Sequence, residues 1–231
     1  MKVVILPGLD GTGQLLLDFC AALSRSHEPI LFRFPSHLSS YRDLTTWIRP
    51  QLPDSDFLIL GESFSGPLAI LLAASNPPGL RGVVLAASFV RPPRKLPPGV
   101  SVLAKVLPLS FRPLTWLAQP FLMGRYGTPN LANMFRNVVA SVPRGTIAER
   151  LREALQTDVT SIAHTLDYPM ASLQAEQDRL VPTRAALPCP PGMMVRIQGP
   201  HFLLQTRARE CAVEVAKLAA DWGRADAAEQ I

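Results

Sequence analysis

Three apolar runs without polar alternation constrain this chain most: Val3-Val4-Ile5-Leu6, Phe57-Leu58-Ile59-Leu60 and Val83-Val84-Leu85-Ala86. A strand with one face in water alternates polar and apolar side chains, so a continuous apolar run needs cover on both faces. The segments between the runs can supply it. Periodicity and Pro/Gly punctuation predict strand 2–6, helix 13–24, strand 29–34, helix 41–52, strand 56–61, helix 65–75 and strand 81–87. Such a βαβ series specifies an α/β fold, a mainly parallel sheet with helices on both faces.

Between about Arg91 and Tyr168 the pattern changes to amphipathic pieces of helix length near 100–107, 113–123, 129–141 and 145–164, separated by Pro and Gly. Alternation then resumes with a strand at 170–175, a loop holding Asp178, a short helical stretch from Pro182 and a strand at 193–197. A final helix is expected over 203–222, fraying from Gly223 onward. The organisation read from this is a core formed by 1–90 and 169–231, with 91–168 inserted as a helical lid. At 231 residues, 48% of them apolar, the chain is long enough for one full core.

Several functional classes are excluded or disfavoured. Cys20, Cys189 and Cys211 are an odd number without metal-ligand spacing, so neither a disulfide scaffold nor a zinc site is supported. Residues 91–148 carry eight Lys/Arg (Arg91, Arg94, Lys95, Lys105, Arg112, Arg125, Arg136 and Arg144) and no acid, whereas the rest of the chain has 15 Lys/Arg against 18 Asp/Glu. Those charges are dispersed and no nucleic-acid-binding motif accompanies them, which argues against a nucleic-acid partner. Uncharged stretches are broken by Pro and Gly well short of a membrane span, and Val3 to Leu6 is too short for a signal-peptide core. A cytoplasmic location in a reducing compartment is the expectation.

Chemistry concentrates at strand ends, where ligands bind in open parallel sheets. Gly61-Glu62-Ser63-Phe64-Ser65-Gly66 reads as strand, tight turn and helix, with Pro67 tolerated in the first helical turn and Ser63 at the tip. A serine hydroxyl needs a histidine base, and that base needs a carboxylate to fix its tautomer. Asp178 follows the fifth strand and His201 the sixth, which completes a set in the order Ser63, Asp178, His201. Asp178 also suits a plain turn or cap before Pro182, with Glu176 as the nearest substitute carboxylate. The loop residues His27 and His37, and His164 in the insertion, are read as structural. Acyl transfer further needs N–H donors for an oxyanion, and the backbone groups of Leu9 and Phe64 fit those positions. The loop Gly8 to Gly13 lacks the endings of a P-loop or a dinucleotide fingerprint.

Through Leu6-Pro7-Gly8-Leu9-Asp10-Gly11, Gly61-Glu62-Ser63-Phe64-Ser65-Gly66, Gln177-Asp178-Arg179-Leu180-Val181-Pro182 and Gly199-Pro200-His201-Phe202, the chain resembles the α/β-hydrolase family over nearly its whole length. The resemblance implies Ser63 as nucleophile, His201 as general base and then acid, Asp178 as its orienting carboxylate, Leu9 and Phe64 as oxyanion donors, and 91–168 as lid. Two departures stand out. Ser65 replaces the glycine most often found in the family's elbow, and Pro7 stands where many members have histidine. The first predicted strand corresponds to the family's third, so a minimal six-stranded sheet is expected.

The insertion holds Val102, Leu103, Val106, Leu107, Leu109, Phe111, Leu114, Trp116, Leu117, Phe121, Leu122 and Met123, enough apolar surface to cover a pocket. Ordinary packing between lid and core is the preferred account of it; the sharper reading is cover for an acyl chain or a weak contact with anionic lipid. The expected activity is hydrolysis of a small carboxylic ester with an apolar acyl group through an acyl-enzyme on Ser63, with no metal or organic cofactor. Acyl transfer to a lipid alcohol shares that intermediate. A non-catalytic ligand-binding relative is the remaining alternative. The residues leave chain length, alcohol and oligomeric state open.

Overall fold

The structure, a computed structural model, describes residues 1–93, 118–188 and 193–229. Its six strands are β1 (Lys2–Leu6), β2 (Glu28–Leu31), β3 (Phe57–Glu62), β4 (Leu80–Ala86), β5 (Met170–Ala175) and β6 (Met194–Ile197). They form one sheet in the order β2-β1-β3-β4-β5-β6, and every neighbouring pair is parallel. The expected minimal six-stranded sheet is therefore present among the described residues.

The period of two along each strand explains why the runs had to be uniformly apolar. Val4, Leu6, Phe57, Ile59, Val83 and Leu85 face one side and pack with Leu44, Ile48, Leu68 and Leu72. These belong to α2 (Tyr41–Ile48) and α3 (Ser65–Ala74). Val3, Ile5, Leu58, Leu60, Val84 and Leu173 face the other and meet Phe19, Leu23, Val215 and Trp222. Those come from α1 (Leu17–Leu23) and from the last helix, Ala208–Glu229. Each such side chain, fully removed from water, contributes about 1.5–3 kcal/mol before entropy is counted.

Between β4 and β5 lie helical residues 118–122, α4 (Pro129–Ser141), α5 (Arg144–Gln156) and α6 (Thr160–His164). Their apolar faces pack over the loops that follow the strands: Met123 and Val138 against Leu15 and Phe202, and Val139 and Ile147 against Leu9. The expected helix at 100–107 and most of that at 113–123 lie outside the described residues, as do Arg94, Lys95, Lys105 and Arg112. After β6 come α7 (Leu203–Thr206) and α8 (Ala208–Glu229).

Some boundaries differ from the sequence reading. The expected helix 13–24 opens as a 3-10 turn at Gln14–Leu16, because Gly13 enters it left-handed at φ 71°. The piece at 145–164 is broken, since Asp158 takes the Thr160 N–H and the Val159 N–H bonds to Val90 on the core. The last helix is interrupted at Arg207, whose Nε donates to the Gln198 carbonyl at 2.8 Å, and its backbone stays helical past Gly223 to Glu229. Among the described residues no helix is long and apolar enough to cross a membrane.

Candidate active site

Strand order reverses beside β1: β2 lies on one side and β3 on the other, so the crevice beyond the carboxyl ends of β1 and β3 is a topological switch point. Leu6 pairs with Gly61, which sets the loop after β1 next to the turn after β3. Ser63 sits on that turn at φ 47°, a left-handed conformation that strains a non-glycine residue. Its neighbours must be small. A Cβ on Gly61 would collide with the Ser65 carbonyl, and one on Gly66 with the Ser88 hydroxyl and, at 2.9 Å, the Phe89 carbonyl. Ser65, unlike glycine, contributes a bond: its buried hydroxyl donates to the Pro7 carbonyl at 2.5 Å and ties the turn to the end of β1.

Ser63, Asp178 and His201 come together, although 138 residues separate the first from the last. The Ser63 Oγ lies 2.8 Å from His201 Nε2, and His201 Nδ1 lies 2.8 Å from Asp178 Oδ2. With Nδ1–H donating to the carboxylate, Nε2 is left with a lone pair for the serine proton. Asp178 also serves the turn function, because its Oδ1 accepts the N–H groups of Leu180 and Val181 at 2.8 and 2.9 Å. Both kinds of contact expected of it are thus present, one at each oxygen. Glu176 is exposed, and neither it nor His27, His37 or His164 lines the cavity described below.

The peptides ahead of Leu9 and Phe64 are held from behind. The Gly8 carbonyl accepts the Gly11 N–H at 3.0 Å, and in a trans peptide the Leu9 N–H must then point the opposite way. Likewise the Ser63 carbonyl accepts the Ser88 hydroxyl at 2.5 Å and the Gly66 N–H at 3.3 Å, which turns the Phe64 N–H away from both. Among the described residues neither N–H donates to a protein acceptor. Tyr41 steadies Phe64 further, stacking on its ring at 4.7 Å and donating its hydroxyl to the Phe64 carbonyl at 2.7 Å.

Two charged residues that the sequence reading passed over are built into this site. Glu62, 6% exposed, accepts the Gly8 N–H at 2.9 Å with Oε2 and the Gln205 amide at 2.6 Å with Oε1. Burial pushes its carboxyl up to about 7, partly offset by the Gln205 bond. Arg150, fully buried on α5, donates to the carbonyls of Leu9, Asp10, Pro35 and Leu38. Its signal was present: Arg150 shares the helical stripe of Ile147, Leu151 and Ala154, where a charge is out of place. Glu62 likewise is a charged residue at the end of an otherwise apolar strand.

A cavity of about 430 Å³ opens over Ser63 and His201, with Leu9 and Phe64 also in its lining. Its walls include Leu122, Phe135, Val139, Leu151, Val181 and Phe202, and its lining also includes the polar residues Asp10, Glu62 and Gln205. That is the size and polarity of a pocket for one small, largely apolar molecule. Among the described residues no group of three or more His, Cys, Asp or Glu is placed to hold a metal ion.

Comparison with known proteins agrees with this architecture. A bromoperoxidase from Bacillus anthracis superimposes with a TM-score of 0.80 at 16% identity, covering 95% of this chain and 91% of that one. An esterase from Exiguobacterium antarcticum gives 0.79 at 11% identity, covering 95% and 92%. Phytyl ester synthase 1, chloroplastic, of Arabidopsis thaliana is 29% identical over 167 residues, 66% of this chain, and the match spans 22% of that protein's own length. The family model described as serine aminopeptidase, S33, matches residues 32–197, a stretch that contains Ser63 and Asp178 and stops short of His201. With the six-stranded parallel sheet beneath it, that match over well more than half of its residues makes this chain a member of the S33 serine aminopeptidase family of α/β-hydrolases.

Proposed function

We propose that the protein cleaves small carboxylic esters through an acyl-enzyme on Ser63. The observation that carries this reading is the continuous hydrogen-bonded chain Ser63, His201, Asp178 at the mouth of an apolar cavity. Ser63 Oγ attacks the ester carbonyl carbon while its proton passes to His201 Nε2, and the carbonyl electron pair moves onto oxygen. The Leu9 and Phe64 N–H groups receive that charge. As the carbonyl reforms, the alcohol leaves with the proton from His201, and the imidazolium has meanwhile been balanced by Asp178. Water, deprotonated at Nε2, then attacks the acyl carbon; the acid departs and Ser63 recovers its proton. The residues between β4 and β5 act as the lid, dividing the chain into a core of 1–90 and 169–231 and an insertion of 91–168, with the acyl group beneath α4 and α5.

Ser63→Ala, folded as judged by its melting curve, is expected to lose about four to six orders of magnitude in kcat on short activated esters. Turnover by that variant within tenfold of wild type would overturn the mechanism. A second reading is supported by the likeness to phytyl ester synthase 1: the same acyl-enzyme resolved by a long-chain alcohol instead of water. Ester formation measured against acid release, with an acyl donor and phytol-length alcohols, separates the two.

A further inference from the structure

We infer that Glu62 is a positioning residue that fixes the oxyanion-donating loop at its working distance from Ser63, an inference that rests on the acyl-enzyme reading above. Glu62 ends β3 and immediately precedes Ser63, so its backbone is held by the sheet. Its side chain runs sideways to the neighbouring loop and takes the Gly8 N–H, one residue before Leu9. With its other oxygen it takes the amide of Gln205 on α7, the helix that follows His201. One carboxyl group therefore joins the nucleophile turn, the Leu9 loop and the segment behind the histidine.

The loop's other anchors do different work. The Gly11 bond to the Gly8 carbonyl shapes the loop internally, and Arg150 holds the Leu9 and Asp10 carbonyls from the inserted helix α5. Glu62 and the Ser65 hydroxyl on Pro7 are the ties that come from the nucleophile's own strand and turn. They set where Leu9 stands relative to Ser63. Gly8 is fitted to this contact, since a Cβ there would lie 3.2 Å from Glu62 Oε2. A carboxyl group is costly to bury, and an apolar side chain would fill the space more cheaply if filling it were the only demand.

The geometry asks for reach and acceptors rather than for charge. Gln205 Oε1 is buried without a partner, so a carboxamide at position 62 would accept from Gly8 and donate to Gln205 once that amide turns over. Aspartate, one methylene shorter, keeps the charge and loses the reach. Glu62→Gln is therefore expected to retain kcat within about fivefold, whereas Glu62→Asp falls about 100-fold in kcat with KM little changed, as when an oxyanion donor is withdrawn.

The test measures kcat and KM on a short ester, together with the rate of fluorophosphonate labelling at Ser63, for wild type and both variants of matched melting temperature. Slow labelling and low kcat in Glu62→Asp with near-normal values in Glu62→Gln support the inference. Wild-type kcat in Glu62→Asp, or an equal loss in both variants, overturns it while leaving the acyl-enzyme intact. Absence of labelling in wild type removes the nucleophile itself and the inference with it.

Discussion

At residue scale the site depends on two buried ionisable side chains, Glu62 and Arg150. Arg150 directs five hydrogen bonds at backbone carbonyls, and none of the acceptors is a carboxylate. Burial brings its guanidinium down to about 10, so it remains protonated at neutral pH. Its fork clamps the loops after β1 and β2 to α5. Arg150→Met should remove about 3–5 kcal/mol of stability and lower activity, because the carbonyls lose a charged donor; chemical denaturation measures it, and a loss below 1 kcal/mol would contradict the clamp. Glu62 gives a pH signature. Its folded value, about 7, lies above the ordinary 4.5, and the nearby charges are Asp10, which raises it, and His201, which lowers it. The folded state then binds the proton more tightly, so stability falls as pH rises from about 4.5 through about 7, by roughly 3 kcal/mol at most. Glu62→Gln should flatten that slope in melting curves taken between pH 4.5 and 8; an unchanged slope would assign it to other groups.

At element scale, the parts that were legible are those whose cause is local. The strand runs announce themselves by being apolar throughout, and the helix expected at 129–141 is found at Pro129–Ser141, where Thr128 caps the Leu131 N–H and Pro129 occupies the first turn. The gathering of Ser63, Asp178 and His201 at one place was legible because each follows a strand end. Glu62 and Arg150 were assigned no role, since their partners lie between 54 and 143 residues away and no local pattern pairs them. The break before α6 is also tertiary in origin: it follows from the Val159 bond to Val90, between residues 69 positions apart in sequence. Close approach of β3 and α3 is the element-level requirement of the turn. Gly61→Ala forces a Cβ onto the Ser65 carbonyl, and a loss of about 1–3 kcal/mol is expected by denaturation. A neutral substitution would mean that the strand and helix can separate without cost.

At the scale of the whole molecule, one parallel sheet collects distant loops at a single edge. The crevice between β1 and β3 receives the Leu9 loop, the Ser63 turn and, from the far side of the sheet, Asp178 and His201. Helices between β4 and β5 lie over it and leave a cavity of about 430 Å³ whose walls are mostly apolar. The S33 family match and the shared fold fix the architecture, and the proposed chemistry depends on what occupies Ser63 during turnover. The most direct measurement is mass spectrometry of the protein quenched during turnover of an activated ester. The account predicts a mass increase equal to the acyl group, mapped to the peptide containing Ser63 and absent from Ser63→Ala. Active protein that carries no acyl group at Ser63 under rapid quench, or the same adduct mass on Ser63→Ala, would contradict it.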